Sequence, residues 1–467
     1  MKSILSLCAT SLAIVSLAGR GAAAAKSQFS LESNDDIKKT TSSLAHDVLQ
    51  FYQGNQTGHT PGLLAEGVSR AVDYFWYESG AMWGILLDYW SYTGDSTYND
   101  LITQGLLWQA GDKNDFLPQN VTAKVGNDDQ GFWAMAAMIA AERGFPNPPA
   151  GKVSWVKLVE NVVNEMALRY DGATCGGGLR WQIFQFSNGY QYKNSISNGM
   201  FFTLAARMAR FTGNSTYADL ADKTWTWMEK VGLLDPETYS IYDGAQTADN
   251  CTKPAKFEFS NVNALFAMGS AYMYNHTNGG SEWQARLTNL TAHGLKQFFP
   301  KGVAVETSCE GAKTCTPDML LMKGFTHQWY SNAMQVAPFL VDRVYPVLKS
   351  SAEAAVAQCT GSERQGQGGR QCGFSWANGT YDGMGGRAET EMSVLAAAQG
   401  LLVKGAKGPL TAKTADDTPG NGNGTGNANG TEKGQGKSGG DSAGGRVEMS
   451  IGVGVLSAAV VLLSTCM

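Results

Sequence analysis

Two consecutive carboxylates are the first residues in this chain whose types and spacing could do chemistry. Asp128 and Asp129 stand in the run Gly126-Asn127-Asp128-Asp129-Gln130-Gly131-Phe132-Trp133, where an apolar-periodic segment, Gly131 to Arg143, begins. Glycosidic cleavage needs one ionised carboxylate at the anomeric carbon and one protonated carboxyl at the leaving oxygen. Adjacent acids can supply both, because ionising one raises the pKa of the other. The same residues also read as a helix start in which Asn127 caps, Gln130 reaches back and the two acids meet the positive end of the helix dipole. Successive helical side chains diverge by about 100°, so both acids face one cleft only if the helix mouth forms its wall.

Other polar groups cluster further along. Arg180, Trp181 and Gln182 follow three glycines, so the turned backbone could present a donor fork and a flat ring to a sugar; a disulfide-anchored loop around Cys175 is the alternative. Tyr192, Lys193, Asn194 and Asn198 open the next periodic segment, with Asn194 and Asn198 spaced i,i+4 to line one face or to cap. Trp76, Tyr77, Trp83 and Trp133 lie near these segments; tryptophans on apolar helices belong mostly to cores, so one or two are expected to touch sugar. Trp329 and Trp376 are of the same type, and Asp382 follows Trp376 in a Gly-rich loop. The five histidines show no metal spacing and no Gly-rich stretch ends as a phosphate loop does, so neither metal nor cofactor is expected.

The elements that must position these residues are helical. Thr93-Gly94-Asp95-Ser96-Thr97-Tyr98-Asn99-Asp100-Leu101 is echoed by Thr212-Gly213-Asn214-Ser215-Thr216-Tyr217-Ala218-Asp219-Leu220. Glycine suits the left-handed end of one helix and Asp95 or Ser96 the N-cap of the next. Each copy therefore predicts a turn between two helices. Weaker versions occur at Ala141 to Trp155 and Asn275 to Trp283, and few segments alternate as strands do. Repeated helical hairpins must stack or close on themselves to bury their shared faces, which predicts an all-α domain, a ring of helical hairpins.

The ends carry other signals. Lys2, the apolar run Ile4 to Leu17 and the small residues Ala22 to Ala25 predict a secretory leader, residues 1–25. Residues 26–410 are the expected folded domain, and 411–440 a Gly/Asn/Thr-rich linker. Ser438-Gly439-Gly440, a spacer and the apolar Ser450 to Met467 predict a glycosylphosphatidylinositol attachment signal, with 441–467 removed. The expected product is secreted and lipid-anchored at the outer plasma membrane or cell wall.

Six cysteines remain between those ends, and an even number in an oxidising compartment predicts disulfides. Fifteen connectivities are possible; local closure favours Cys309 with Cys315 and Cys359 with Cys372, leaving Cys175 with Cys251. Sequons stand at Asn55, Asn120, Asn214, Asn250, Asn275, Asn289, Asn378, Asn423 and Asn429 and predict surface positions. Net charge −5 without a basic run excludes a nucleic-acid partner.

The Gly126–Gln130 run resembles the active-site signature of glycoside hydrolase family 76, the α-1,6-mannanases, and the wider chain is similar to its fungal cell-wall branch. Phe75 to Gly84, Cys175 to Gln182, Tyr192 to Gly199 and Asp243-Gly244 agree in order over roughly Leu44 to Leu402. The resemblance implies an (α/α)6 barrel and a retaining mechanism with Asp128 as nucleophile and Asp129 as acid/base. It also implies a substrate-side carboxylate at Asp243 and substrate contacts from Asn127, Gln130 and the residues named above. Its fungal branch implies α-mannosyl donors, either the mannose of lipid-anchor glycans or α-1,6-mannan, with wall β-glucan as acceptor. Phe257-Glu258-Phe259-Ser260-Asn261 departs from the segment bacterial members tend to carry, so polar contacts there are expected to differ. Endo-α-1,6-mannan hydrolysis is the close alternative, and a non-catalytic glycan-binding scaffold is the alternative of another class.

Overall fold

The helices are of two kinds, distinguished by what they bury. Some are buried on every side: α2 (Trp76–Thr93) is enclosed continuously from Glu78 to Tyr89, and α4 (Asn127–Arg143) from Gln130 to Ala140. Others bury one stripe, as α5 (Trp155–Leu168) does with Trp155, Leu158, Val159, Val162, Val163 and Met166 at three- and four-residue steps. A helix apolar all round belongs inside an assembly and a striped one at its surface. The sequence thereby sorts its helices into an inner and an outer layer.

The computed structural model describes residues 29–64, 74–119, 121, 125–359 and 371–416. Among them α6 (Ser195–Thr212), α8 (Ser260–His276), α10 (Met322–Val336) and α12 (Ala388–Gln399) join α2 and α4 as inner helices. Each packs on the next, and α12 returns to α2, closing the ring. Outside stand α1 (Asn34–Leu49), α3 (Asn99–Gln109), α5, α7 (Ser215–Lys230), α9 (Ser281–Phe298) and α11 (Val341–Ala357). Five outer helices follow their inner partners in the chain, whereas α1 packs on α12, so the first helix completes the last pair. The expected ring of six hairpins is the architecture observed.

Alternation of inner and outer helices sends every inner helix the same way, so their N-termini gather at one end. Ser260 at the start of α8 accepts from Thr326 in the first turns of α10 at 2.9 Å. At the other end Glu142 of α4 pairs with Arg207 of α6 at 2.7 Å and accepts from Tyr272 of α8 at 2.9 Å, all three buried. The buried charges of Glu142 and Arg207 are therefore paired inside the ring.

The echoed turns confirm half of their reading. Gly94 and Gly213 both end a helix with left-handed backbone, φ 79° and 74°. The second copy starts its helix at once, with Asn214 as N-cap, but in the first Asp95 Oδ1 accepts from the Thr97 N–H and Tyr98 becomes the cap. Two strands, β1 (Tyr192–Asn194) and β2 (Gly244–Gln246), pair antiparallel with Asn194 opposite Gly244.

Three disulfides join Cys175 to Cys251, Cys309 to Cys315 and Cys359 to Cys372, as expected. The sequon asparagines 55, 214, 250, 275, 289 and 378 are exposed; Asn120, Asn423 and Asn429 lie outside the described residues. The expected linker opens instead with a short helix, Ala412–Asp416. The rest of it, the leader and the apolar tail also lie outside the described residues. Among the described residues no helix is long and apolar enough to cross a membrane.

Candidate active site

Helix α4 begins one residue earlier than its sequence suggests. Gly126, not Asn127, is the N-cap, and Asp129, not Gln130, reaches back: its Oδ2 accepts from the Gly126 N–H at 2.6 Å. Asp128 Oδ1 accepts from the Asp129 N–H at 3.1 Å. Both carboxylates thus fold over the helix mouth instead of following the outward spiral. A Cβ on residue 126 would stand 2.2 Å from Asp128 Oδ1 and 3.2 Å from Asp129 Oδ2. Those two oxygens are therefore at most about 5.4 Å apart, the sum of the two distances, and position 126 has room only for glycine.

Neighbouring helices and loops complete the wall. Asn127 donates its backbone N–H to the Trp181 carbonyl at 2.8 Å and its amide to the Arg180 carbonyl at 2.9 Å, and Trp181 in turn donates to the Tyr192 carbonyl at 2.6 Å. Gly126 and Gln182 form a bridge beside them. The 180–182 segment is thereby laced between the mouth of α4 and β1. This brings the Trp181 indole and the side chain of Asn194, the N-cap of α6, beside Asp128, where both favour its ionised form. On the other side Tyr77 packs at a tilt against Phe132, ring centroids 4.7 Å apart, close enough to Asp128, Asp129 and Asp318 to feel their charge.

This placement separates the two acids electrostatically. Burial pushes Asp128 up to about 6, held there by hydrogen bonds from backbone N–H groups, Asn194 and Trp181. Burial and then the charge of Asp128 push Asp129 well above the usual carboxylate range. The pair can hold one proton, with Asp129 the better place for it. A carboxylate supported by three kinds of donor beside a protonated carboxyl has the equipment for acid-assisted displacement at an acetal carbon.

The chain matches the description "Glycosyl hydrolase family 76" over residues 36–413. The chain belongs to glycosyl hydrolase family 76. It is 40% identical over 396 residues to mannan endo-1,6-alpha-mannosidase DCW1 of Saccharomyces cerevisiae, 85% of each chain. It is 35% identical over 423 residues to mannan endo-1,6-alpha-mannosidase DFG5 of the same yeast, covering 90% of this chain and 89% of that one. Dfg5 from Chaetomium thermophilum, solved in complex with glucosamine, superposes with TM-score 0.79 at 45% identity over 83% of this chain and 95% of that one. The fold is shared with an inactive variant of the α-1,6-mannanase GH76A of Salegentibacter sp. HEL1_6, in complex with α-1,6-mannotriose. There the TM-score is 0.62 at 14% identity, over 78% of this chain and 99% of that one.

Within this family 76 barrel, several of the residues expected at the substrate bond the framework around the site. Gln130 is fully buried, donating to the Asp115 carbonyl at 2.7 Å and accepting from Arg169. Trp133 is buried between Trp76 and Phe116, and Trp76 donates its indole N–H to Gln109 at 2.9 Å. Arg180 presents no open fork: it pairs with Asp171 at 2.8 Å, bonds Gln191 and the Tyr190 carbonyl, and lies over the Tyr190 ring. Lys193 is buried with its ammonium on the carbonyls of Asp171, Thr174 and Gly177, and burial pushes it down to about 8. Asn198 clamps both backbone groups of Leu179. These residues build the Cys175 loop that carries Trp181.

Trp376 is 1% exposed and packs on His327 of α10, so its ring belongs to the core. Asp382 anchors that loop by accepting from the N–H groups of Phe374, Ser375 and Met384. Asp243 is half-buried and accepts from the Tyr192 hydroxyl at 2.7 Å, one residue from the partner of Asn194 in the two-stranded pair. Gln182 is buried beside Gly126.

Asp318 escaped the sequence reading. Thr316-Pro317-Asp318 looks only like a helix start, and its side chain comes near Tyr77 and Glu78 because α10 adjoins α12, which adjoins α2. Among the described residues no group of His, Cys, Asp and Glu side chains is placed to hold a metal ion.

Proposed function

We propose that this chain is a retaining α-1,6-mannosidase-type enzyme of the fungal cell wall in which Asp128 attacks the anomeric carbon and Asp129 protonates the leaving oxygen. The observation that carries the reading is the placement of both carboxylates over one helix mouth, their nearer oxygens within about 5.4 Å. Retaining enzymes hold the pair about 5–5.5 Å apart, whereas inverting ones leave about 6.5–9.5 Å for a water. The electrostatic order agrees, since Asp128 ionises more readily than Asp129. Departure of the leaving group leaves a mannosyl ester on Asp128. Asp129, now a carboxylate, then deprotonates whichever hydroxyl attacks.

Water as that hydroxyl gives hydrolysis and a sugar gives transfer. The yeast relatives are named endo-1,6-alpha-mannosidases, which supports α-1,6-mannosyl linkages as the bond broken. Transfer from the mannose-bearing glycan of lipid-anchored proteins to wall β-glucan is the fuller reading, supported by the leader and attachment signals in the sequence. Trp181, 37% exposed beside Asp128, and half-buried Tyr192 and Tyr77 are the groups available to bind either sugar. Incubating the ectodomain with an α-1,6-mannosyl donor and rising β-glucan oligosaccharide tests the choice. Transfer product should grow at the expense of free sugar; free sugar alone at saturating acceptor returns the enzyme to endo-mannan hydrolysis, and no product from any α-mannoside refutes the assignment.

A further inference from the structure

Of the twelve tryptophans, only Trp108 and Trp181 are exposed by more than a third among the described residues. Trp181 belongs to the active site. Trp108, 46% exposed, does not: it sits near the end of outer helix α3, while its neighbour Gln109 turns inward to Trp76. An indole left this open gives up much of the burial that makes tryptophan valuable to a core. Its position calls for an occupant.

Trp108 is not isolated. It lines an open groove of about 710 Å³ with Gln104, Asp112, Gln119 and Lys152. Gln104 precedes Trp108 by four residues and so shares its helix face. Gln119 donates to Asp112 at 2.8 Å, which fixes an amide and a carboxylate beside one another. The groove thus offers a flat indole, with Leu107 and Pro118 beside it, flanked by amides, one carboxylate and one ammonium. Its two charges are of opposite sign, which suits neither a polyanion nor an anionic membrane. One indole with a leucine and a proline, edged by amides, is also too small an apolar surface to enter a bilayer.

We infer that this groove is a second carbohydrate site, separate from the cleft at Asp128, that holds a neutral β-linked glucan. Ring faces and hydroxyl edges require this combination of partners: C–H groups stack on the indole while side-chain amides and carboxylates bond the hydroxyls. β-Glucosyl residues fit an open platform best because all their ring hydroxyls are equatorial and both faces present C–H groups. A mannosyl residue projects an axial hydroxyl from one face. The site also lies close to the chemistry, since the loop from Gly111 to Gln119 includes Asp115, whose carbonyl holds Gln130 next to Asp129. Binding here does not depend on the transfer reading; if that reading holds, the groove keeps the acceptor polymer beside the catalytic mouth at raised effective concentration.

Native affinity electrophoresis of the ectodomain through gels containing soluble β-1,3-glucan, α-1,6-mannan or no polymer tests the inference. The parent should be retarded by glucan. Trp108→Ala should bind about tenfold more weakly, the scale of one aromatic contact, Trp108→Tyr should recover part of the retardation, and both should cleave a short α-1,6-mannooligosaccharide as the parent does. Asp128→Asn, inactive in the cleft, should be retarded like the parent. The inference fails if Trp108→Ala is retarded as strongly as the parent, if only mannan retards, if glucan retards nothing, or if Asp128→Asn abolishes the effect and so traces it to the cleft.

Discussion

Asp129 Oδ2 accepts from the Gly126 N–H at 2.6 Å, so the carboxyl assigned to proton transfer also reaches back to the N-cap of its own helix. That bond turns Asp129 back over the mouth of α4 and toward Asp128. Folding and chemistry draw on the same atom.

The pH profile follows from this arrangement. Activity needs Asp128 ionised and Asp129 protonated, so kcat/KM should rise with pH through about 6 and fall again at higher pH as the pair loses its second proton. Both carboxyls are raised in the folded chain, which therefore binds more protons than the unfolded chain from about pH 4 upward. Their contribution to stability is present below that pH and lost as pH rises through the folded pKa values. Asp129→Asn should accordingly lose about 10³-fold or more in kcat while melting no lower than the parent at neutral pH, as read by calorimetry and initial rates. A sharp fall in its melting temperature would contradict a raised Asp129 carboxyl in the folded chain.

Removing donors from Asp128 should move one limb of that profile only. Asn194 and Trp181 stabilise its ionised form, so Trp181→Phe, which keeps a ring but loses the N–H, should shift the acidic limb upward by about one unit. Asn194→Ala should shift it the same way and also cost about 1 kcal/mol from the lost cap of α6. An unmoved acidic limb in Trp181→Phe would show that the bond does not tune Asp128.

Gly126→Ala isolates geometry from fold. The new methyl would stand 2.2 Å from Asp128 Oδ1, so that carboxylate must leave its place. About 10²-fold of kcat should disappear, the scale of a 1 Å misplacement, with far-ultraviolet circular dichroism unchanged. Parent-like turnover would mean that Asp128 need not occupy the position described.

At the closed end of the ring, Glu142→Ala should destabilise the protein by about 3–5 kcal/mol, because it strands the buried Arg207 guanidinium and the Tyr272 hydroxyl. Denaturant titration at neutral pH measures it. The paired change Glu142→Leu with Arg207→Met should recover most of that loss, since it removes both charges.

What the sequence determined by itself is local or repetitive. The Asp128-Asp129 pair at a helix mouth, the glycine-ended turns at Gly94 and Gly213, the two short-range disulfides and the inner and outer helix patterns all depend on neighbours within one or two turns of chain. Only the tertiary structure decided which polar side chains face the cleft. Asn194 and Trp181 reach Asp128 across more than 50 residues of sequence, while Arg180 and Lys193, equally polar and beside them in sequence, turn away to hold the Cys175 loop. Residue type fixes what a side chain can bond. Which partner it meets depends on ring closure, because an inner helix places residues of distant segments at one mouth and leaves each buried charge to pair with whatever the neighbouring helices bring there.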